Sequence, residues 1–90
     1  SNQVLEILTQ AIRGNFIKAR DDLIDLMVLN GLSGLDVIKQ IQKEVINLPI
    51  AEQSKLDLID KCGDIEFRMV EGSDEIIQLS ALLSNFVNKK

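Results

Sequence analysis

The sequence predicts an all-α domain, a single bundle of five helices with short connections, and three observations carry that expectation. Apolar residues recur at helical spacing along the whole chain and nowhere alternate as a half-buried strand requires. The punctuation between those runs, at Gly14-Asn15, Asn30-Gly31, Pro49 and Glu71-Gly72, cuts the chain into pieces of helix length. With 90 residues there is enough chain for one modest core and no more, because a domain of this size buries roughly 60–70% of its unfolded surface.

Val4, Leu5, Leu8, Ala11 and Ile12 make one face of a first helix that ends at Gly14. Asn15 is placed to cap the second, whose inward face is Phe16, Ala19, Leu23, Leu26 and Met27 and which stops at Asn30-Gly31. Ser33, with Asp36 three residues later, is a variant of the capping box. It opens a third helix through Ile38, Ile41, Val45 and Leu48. Pro49, the only proline, ends that helix or begins the next, since its ring removes a donor and blocks the preceding turn. The fourth helix is expected from Ala51 to Val70, and Ser73 or Asp74 caps a fifth that continues to Val87. Short connections predict that successive helices pack as near-antiparallel neighbours. No repeat, low-complexity tract or linker interrupts the chain, so residues 1–90 read as one domain.

Composition removes whole classes of function. Close to half the residues are apolar, yet Trp and Tyr are absent and only three Phe occur, so the core is aliphatic. There is no histidine, which takes away the commonest general base and the commonest metal ligand together. The single cysteine, Cys62, cannot close a disulfide within the chain, which fits a reducing, cytoplasmic setting. No apolar run approaches the roughly 18–20 residues of a membrane span, and no signal peptide opens the chain. It begins Ser-Asn rather than Met and reads as a piece cut from a longer protein. A net charge of −4 argues against a grip on nucleic acid, where affinity comes mostly from neutralising phosphates.

Motifs that could carry chemistry do not survive inspection. Asp21-Asp22-Leu23-Ile24-Asp25 matches the DDxxD pattern that chelates magnesium diphosphate, but no second metal motif accompanies it, and Asp21 and Asp25 fall on a polar face beside Lys18. Neither a calcium-binding loop of spaced acids nor a GxxxxGK[ST] phosphate loop occurs. Cys62 lies on an apolar face with no histidine to activate it and reads as a small core residue. The Asn30-Gly31-Leu32-Ser33-Gly34 turn between helices could pass for a helix-turn-helix. Its would-be recognition helix offers only Lys39, Gln40, Gln42 and Lys43, with no arginine, on an acidic domain. DNA binding is thus the weaker alternative to a helical module that binds other proteins.

The stretch from Cys62 to Leu79 is the least ordinary. Projected at about 100° per residue, the fourth helix puts Asp57, Asp60, Lys61, Asp64, Arg68 and Glu71 on one polar arc. Arg68 is therefore a surface residue, within reach of Asp64 one turn earlier. The apolar arc spans about 200°, more than one packing partner needs, and Glu66 lies in its middle. Arg20 stands among Ile24 and Met27 on the second helix, so the two buried-face charges suggest a partly buried Arg20–Glu66 pair. Gly63 costs a helix interior about 1 kcal/mol relative to alanine and suggests a point where another helix approaches closely. On the fifth helix Ile77 and Ala81 form a second apolar pair opposite the main stripe of Ile76, Leu79, Leu83, Phe86 and Val87. Surplus apolar surface of this kind suits a neighbouring protein, with Leu58, Ile65, Met69, Ile77 and Ala81 as candidate contacts. Catalytic, metal and cofactor residues are expected to be absent.

Several runs add a family resemblance. They are Gly14-Asn15-Phe16, Ala19-Arg20, Gly31-Leu32-Ser33-Gly34 with Asp36, Ile38, and Gln40-Ile41. More specific still are Gly63-Asp64-Ile65-Glu66-Phe67-Arg68, Glu71-Gly72, Glu75, Ile77-Gln78-Leu79 and Ala81-Leu82-Leu83. Together they resemble the C-terminal domain of replication factor C small subunits, most of all the archaeal form, in order over essentially the whole chain. Ser73-Asp74 departs from the small residue plus Asn of that pattern and keeps a helix cap. The resemblance implies a helical collar domain that holds the five subunits of a sliding-clamp loader together in DNA replication. It implies that ATP and magnesium belong to N-terminal ATPase domains absent from this chain, which would itself be no enzyme. Its implied partners are other clamp-loader subunits, small and large. The sliding clamp and primer–template DNA would be met only through the absent domains, and no membrane is involved.

Overall fold

The computed structural model describes residues 2–90, and among them it forms five helices and no strand. These are α1 (Asn2–Ile12), α2 (Phe16–Asn30), α3 (Gly34–Val45), α4 (Glu52–Val70) and α5 (Glu75–Ser84). The all-α bundle expected from the spacing is what the chain adopts.

The stop signals work by satisfying the orphan carbonyls at helix ends. At the end of α4, Gly72 takes φ +103°, its N–H bonds the Met69 carbonyl at 3.1 Å, and the Ser73 N–H bonds the Arg68 carbonyl at 2.9 Å. That paired closure needs a left-handed residue, which glycine adopts without strain. Gly31 ends α2 in the same left-handed region, at φ +62°. The capping box at α3 forms as its spacing requires: Ser33 Oγ accepts from the Asp36 N–H at 3.1 Å, and the Ser33 N–H donates to Asp36 Oδ2 at 2.9 Å. The fifth helix is capped by Asp74, whose Oδ1 accepts from the Ile77 N–H at 2.9 Å.

Some boundaries differ from expectation. Asn15 precedes α2 but makes no side-chain capping bond. The third helix ends at Val45, and Leu48 is buried from an irregular turn that also holds Pro49. The fifth stops at Ser84, short of the Val87 that its periodicity predicts, and Phe86 is fully buried from the turn that follows. Tertiary contact fixes that turn: the Asn88 N–H donates to the Ile12 carbonyl at 3.0 Å, at the end of α1.

Packing also departs from a simple succession of neighbours. α1 packs on α2, α3 on α4 and α4 on α5, giving three packed pairs of successive helices, but α2 and α3 do not form a fourth. α3 lies on α1 instead, and α5 packs against all four other helices. Leu79, Leu82, Leu83 and Phe86 from this last segment enter a core shared with Leu8, Ala11, Ile41, Val45 and Leu58. At one end α5 is clasped to α3. The Gly34 N–H donates to Glu75 Oε2 at 2.8 Å, and a Cβ on Gly34 would lie 2.9 Å from the Glu75 Cβ. Gly34, not Gly63, is therefore the close-approach glycine within this fold.

Candidate functional site

α4 lies against α3 and α5, and this decides which part of its wide apolar arc is covered. Leu58, Cys62, Ile65 and Met69 form the inner edge and are buried. Leu58, Ile65 and Met69 are thus core residues and not the exposed contacts that the arc suggests. Leu56, Phe67 and Val70 form the outer edge and are exposed, Phe67 to 64%. The surplus inferred from the arc is real, but it lies on the edge opposite Leu58, Ile65 and Met69. Gly63 is part of that outer edge and exposed, and a Cβ added to it would meet nothing within 4 Å. No helix of this chain approaches it closely.

The Arg20–Glu66 pair does not form. Glu66 is exposed and shares a shallow groove with Ile38, Lys39 and Gln42 of α3. Arg20 is half-buried on α2, which packs on α1 and α5; its Nε donates to Ser80 Oγ at 3.1 Å, and its Nη1 lies 3.7 Å from Asp21 Oδ1. α2 and α4 do not pack on each other, so the charges do not meet. Arg68 is exposed, as its polar arc requires, and makes no ion pair with Asp64 among the described residues.

A second exposed apolar face spans α2 and α5. The two helices run antiparallel: Gly14 lies beside Asn88 at one end, and Asn30-Gly31 leads into the Gly34–Glu75 clasp at the other. Arg20 and Ser80 bridge the seam. Outward of it, Ile17 and Val28 on α2 and Ile77 and Ala81 on α5 all face solvent, Ile17 to 67% and Ile77 to 66%. The sequence predicts the exposure of Ile77 and Ala81 but misses that of Ile17, Val28, Leu56, Phe67 and Val70. One sign of the α2 surplus is available in the run Leu26-Met27-Val28-Leu29, because four consecutive residues cannot all face one side of a helix.

The chemistry of a reactive site is missing from these surfaces. Burial pushes the Cys62 thiol up to about 11, which keeps it protonated and inert. Glu6, Asp22 and Asp25 line a groove between α1 and α2, but among the described residues no group of His, Cys, Asp or Glu is arranged to hold a metal ion. Asp21 and Asp22 each have a lysine or arginine beside them, with Lys18 Nζ 3.1 Å from Asp22 Oδ2. No described helix is long and apolar enough to cross a membrane.

Fold and surface together define a small all-helical domain whose unusual property is exposed apolar area on two faces. Comparison with known families makes the class particular: residues 1–85 match the replication factor C C-terminal domain. The chain belongs to that family. It is 54% identical over 83 residues to the replication factor C small subunit of Thermococcus kodakarensis, covering 92% of this chain and 10% of that protein. Against the Pyrococcus horikoshii small subunit it is 51% identical over 89 residues, covering 97% of this chain and 10% of the relative. Against that of Archaeoglobus fulgidus it is 44% identical over 82 residues, covering 91% and 26%. The chain thus spans a small part of the length of the curated relatives it matches.

Proposed function

We propose that this domain joins subunits of a sliding-clamp loader in DNA replication, as the association domain of a replication factor C small subunit. The observation that carries the reading is the α2–α5 face, where Ile17, Val28, Ile77 and Ala81 remain exposed although the core is complete without them. Apolar side chains held exposed on packed helices are stable only at a cost in water, which a neighbour relieves. The role is mechanical, not catalytic. ATP and magnesium, the clamp and primer–template DNA would be handled by other domains, and other clamp-loader subunits in the cytoplasm are the partners.

Light scattering on the protein over a concentration series tests this. The wild-type mass is expected to rise with concentration, and Ile17→Asp with Ile77→Asp is expected to hold the protein at monomer mass with its helical circular dichroism unchanged. Both side chains are exposed, so the double variant keeps its core. A wild-type protein that stays monomeric throughout, or a variant that assembles equally well, would overturn the reading.

A further inference from the structure

The outer edge of α4 differs from the α2–α5 face in its charge. At about 100° per residue, Leu56, Gly63, Phe67 and Val70 fall within an arc of about 60°. Asp60, Asp64 and Glu71 flank this arc on one side and Glu66 on the other, and Glu52 stands in line with Val70 at the N-terminal end of the helix, all exposed. None of the five makes an ion pair among the described residues. Cations stand near this rim, Arg68 one turn from Asp64, Lys39 in the groove beside Glu66, and Lys61 with Lys89 in the groove beside Asp60, but the acids outnumber them. Lys55 is turned away, its Nζ donating to the Ile46 carbonyl at 2.7 Å. Around Ile17 on α2, by contrast, the charges are of both signs and mutually paired, Lys18 with Asp22 and Arg20 with Asp21.

We infer that the outer edge of α4 docks an amphipathic helix of another protein, one with an apolar spine flanked by lysines or arginines. Three observations select that occupant. A carboxylate rim repels phosphates, which excludes nucleic acid and anionic lipid, and favours a cationic partner. A second copy of this chain is a poor fit, since two such faces would set carboxylate against carboxylate and the chain's other apolar face carries no cationic excess. Gly63 opens a notch in the middle of the apolar stripe, with open space over its backbone, where a partner's helix can come close. This docking uses a different face from the one proposed for subunit association and does not depend on it.

The test is binding of two synthetic amphipathic peptides to the protein, one with a leucine spine and lysine flanks, the other with the same spine and glutamate flanks. The lysine peptide is expected to bind at least about tenfold more tightly, with an affinity that falls as salt rises. Phe67→Ser with Val70→Ser, and separately Gly63→Leu, are expected to weaken it about tenfold. Asp60→Lys with Asp64→Lys is expected to do the same and to flatten the salt dependence, while Ile77→Asp leaves binding unchanged. All these positions are exposed, and circular dichroism checks the fold of each variant. The inference is overturned if the α4 variants bind as the wild type does, or if Ile77→Asp weakens binding as much as they do. It is equally overturned if Phe67→Ser with Val70→Ser lowers self-association in light scattering and leaves the peptide untouched, which would make a second copy the occupant.

Discussion

Leu58, Cys62, Ile65 and Met69 on one edge of α4 are buried against α3 and α5, whereas Leu56, Gly63, Phe67 and Val70, about 140° round the same helix, face solvent. Both edges are apolar, and between them stands Glu66, which marks where coverage stops. The difference teaches that an apolar helix face is buried when the fold supplies a neighbour, and that a 90-residue chain runs out of neighbours before α4 runs out of apolar surface.

The largest expected effect separates the two edges directly. Leu58→Ala should destabilise the protein by about 2–5 kcal/mol, the range for a cavity in a packed core. Phe67→Ala should change stability by less than about 0.5 kcal/mol, as an exposed side chain does. Denaturant unfolding measures both, and equal losses would erase the distinction between inner and outer edge. Next in size is Gly34→Ala, where the added Cβ meets Glu75 and overpacking should cost about 1–3 kcal/mol. Gly63→Ala should have the opposite sign, stabilising by about 1 kcal/mol, because its Cβ enters open space and alanine is the better helix former. Two glycines in helices thus become a paired test of which one the fold requires.

Smaller effects sharpen the same contrast chemically. Cys62, on the inner edge with its thiol pushed up to about 11 by burial, should resist alkylation at neutral pH until denaturant exposes it. Rapid labelling of the folded protein would show that the inner edge is open. The weakest effect is one of pH. Hydrogen bonds from the Ser33 backbone and side chain hold the Asp36 carboxyl below its ordinary value. Its contribution to stability is therefore present above the ordinary carboxylate range and is lost as the pH falls through that lowered value. The decline should be shallow and should flatten further in Ser33→Ala, with thermal unfolding across acid pH as the readout.

Much of this is legible in the residues themselves. Helix number and type, the Ser33–Asp36 capping box, the stops at Gly31 and Gly72 and the exposure of Ile77, Ala81 and Arg68 follow from local spacing and local chemistry. What is not legible depends on which helix lies beside which. Arg20 and Glu66 both look buried because each stands on an apolar arc, yet α2 meets α5 and α4 meets α3, so one reaches Ser80 and the other solvent. The preference for Leu58, Ile65 and Met69 over Leu56, Phe67 and Val70 fails for the same reason: periodicity gives the width of an arc, not the side on which a neighbour sits. Gly34 reads locally as part of a turn, and its contact with Glu75, 41 residues away, has no local signature.

That clasp and the Arg20–Ser80 bridge have a consequence for the order in which the protein folds. They join residues 41 and 60 positions apart, and both run to α5. The α1–α2, α3–α4 and α4–α5 contacts close short loops and can form early, whereas the contacts of α5 with α1, α2 and α3 close long ones. Completion of the core therefore waits on the long-range contacts of α5. Because Leu79, Leu82, Leu83 and Phe86 are buried in the core shared by the other helices, loosening of this one segment would uncover apolar surface on all of them at once and open the protein to association with the wrong surface.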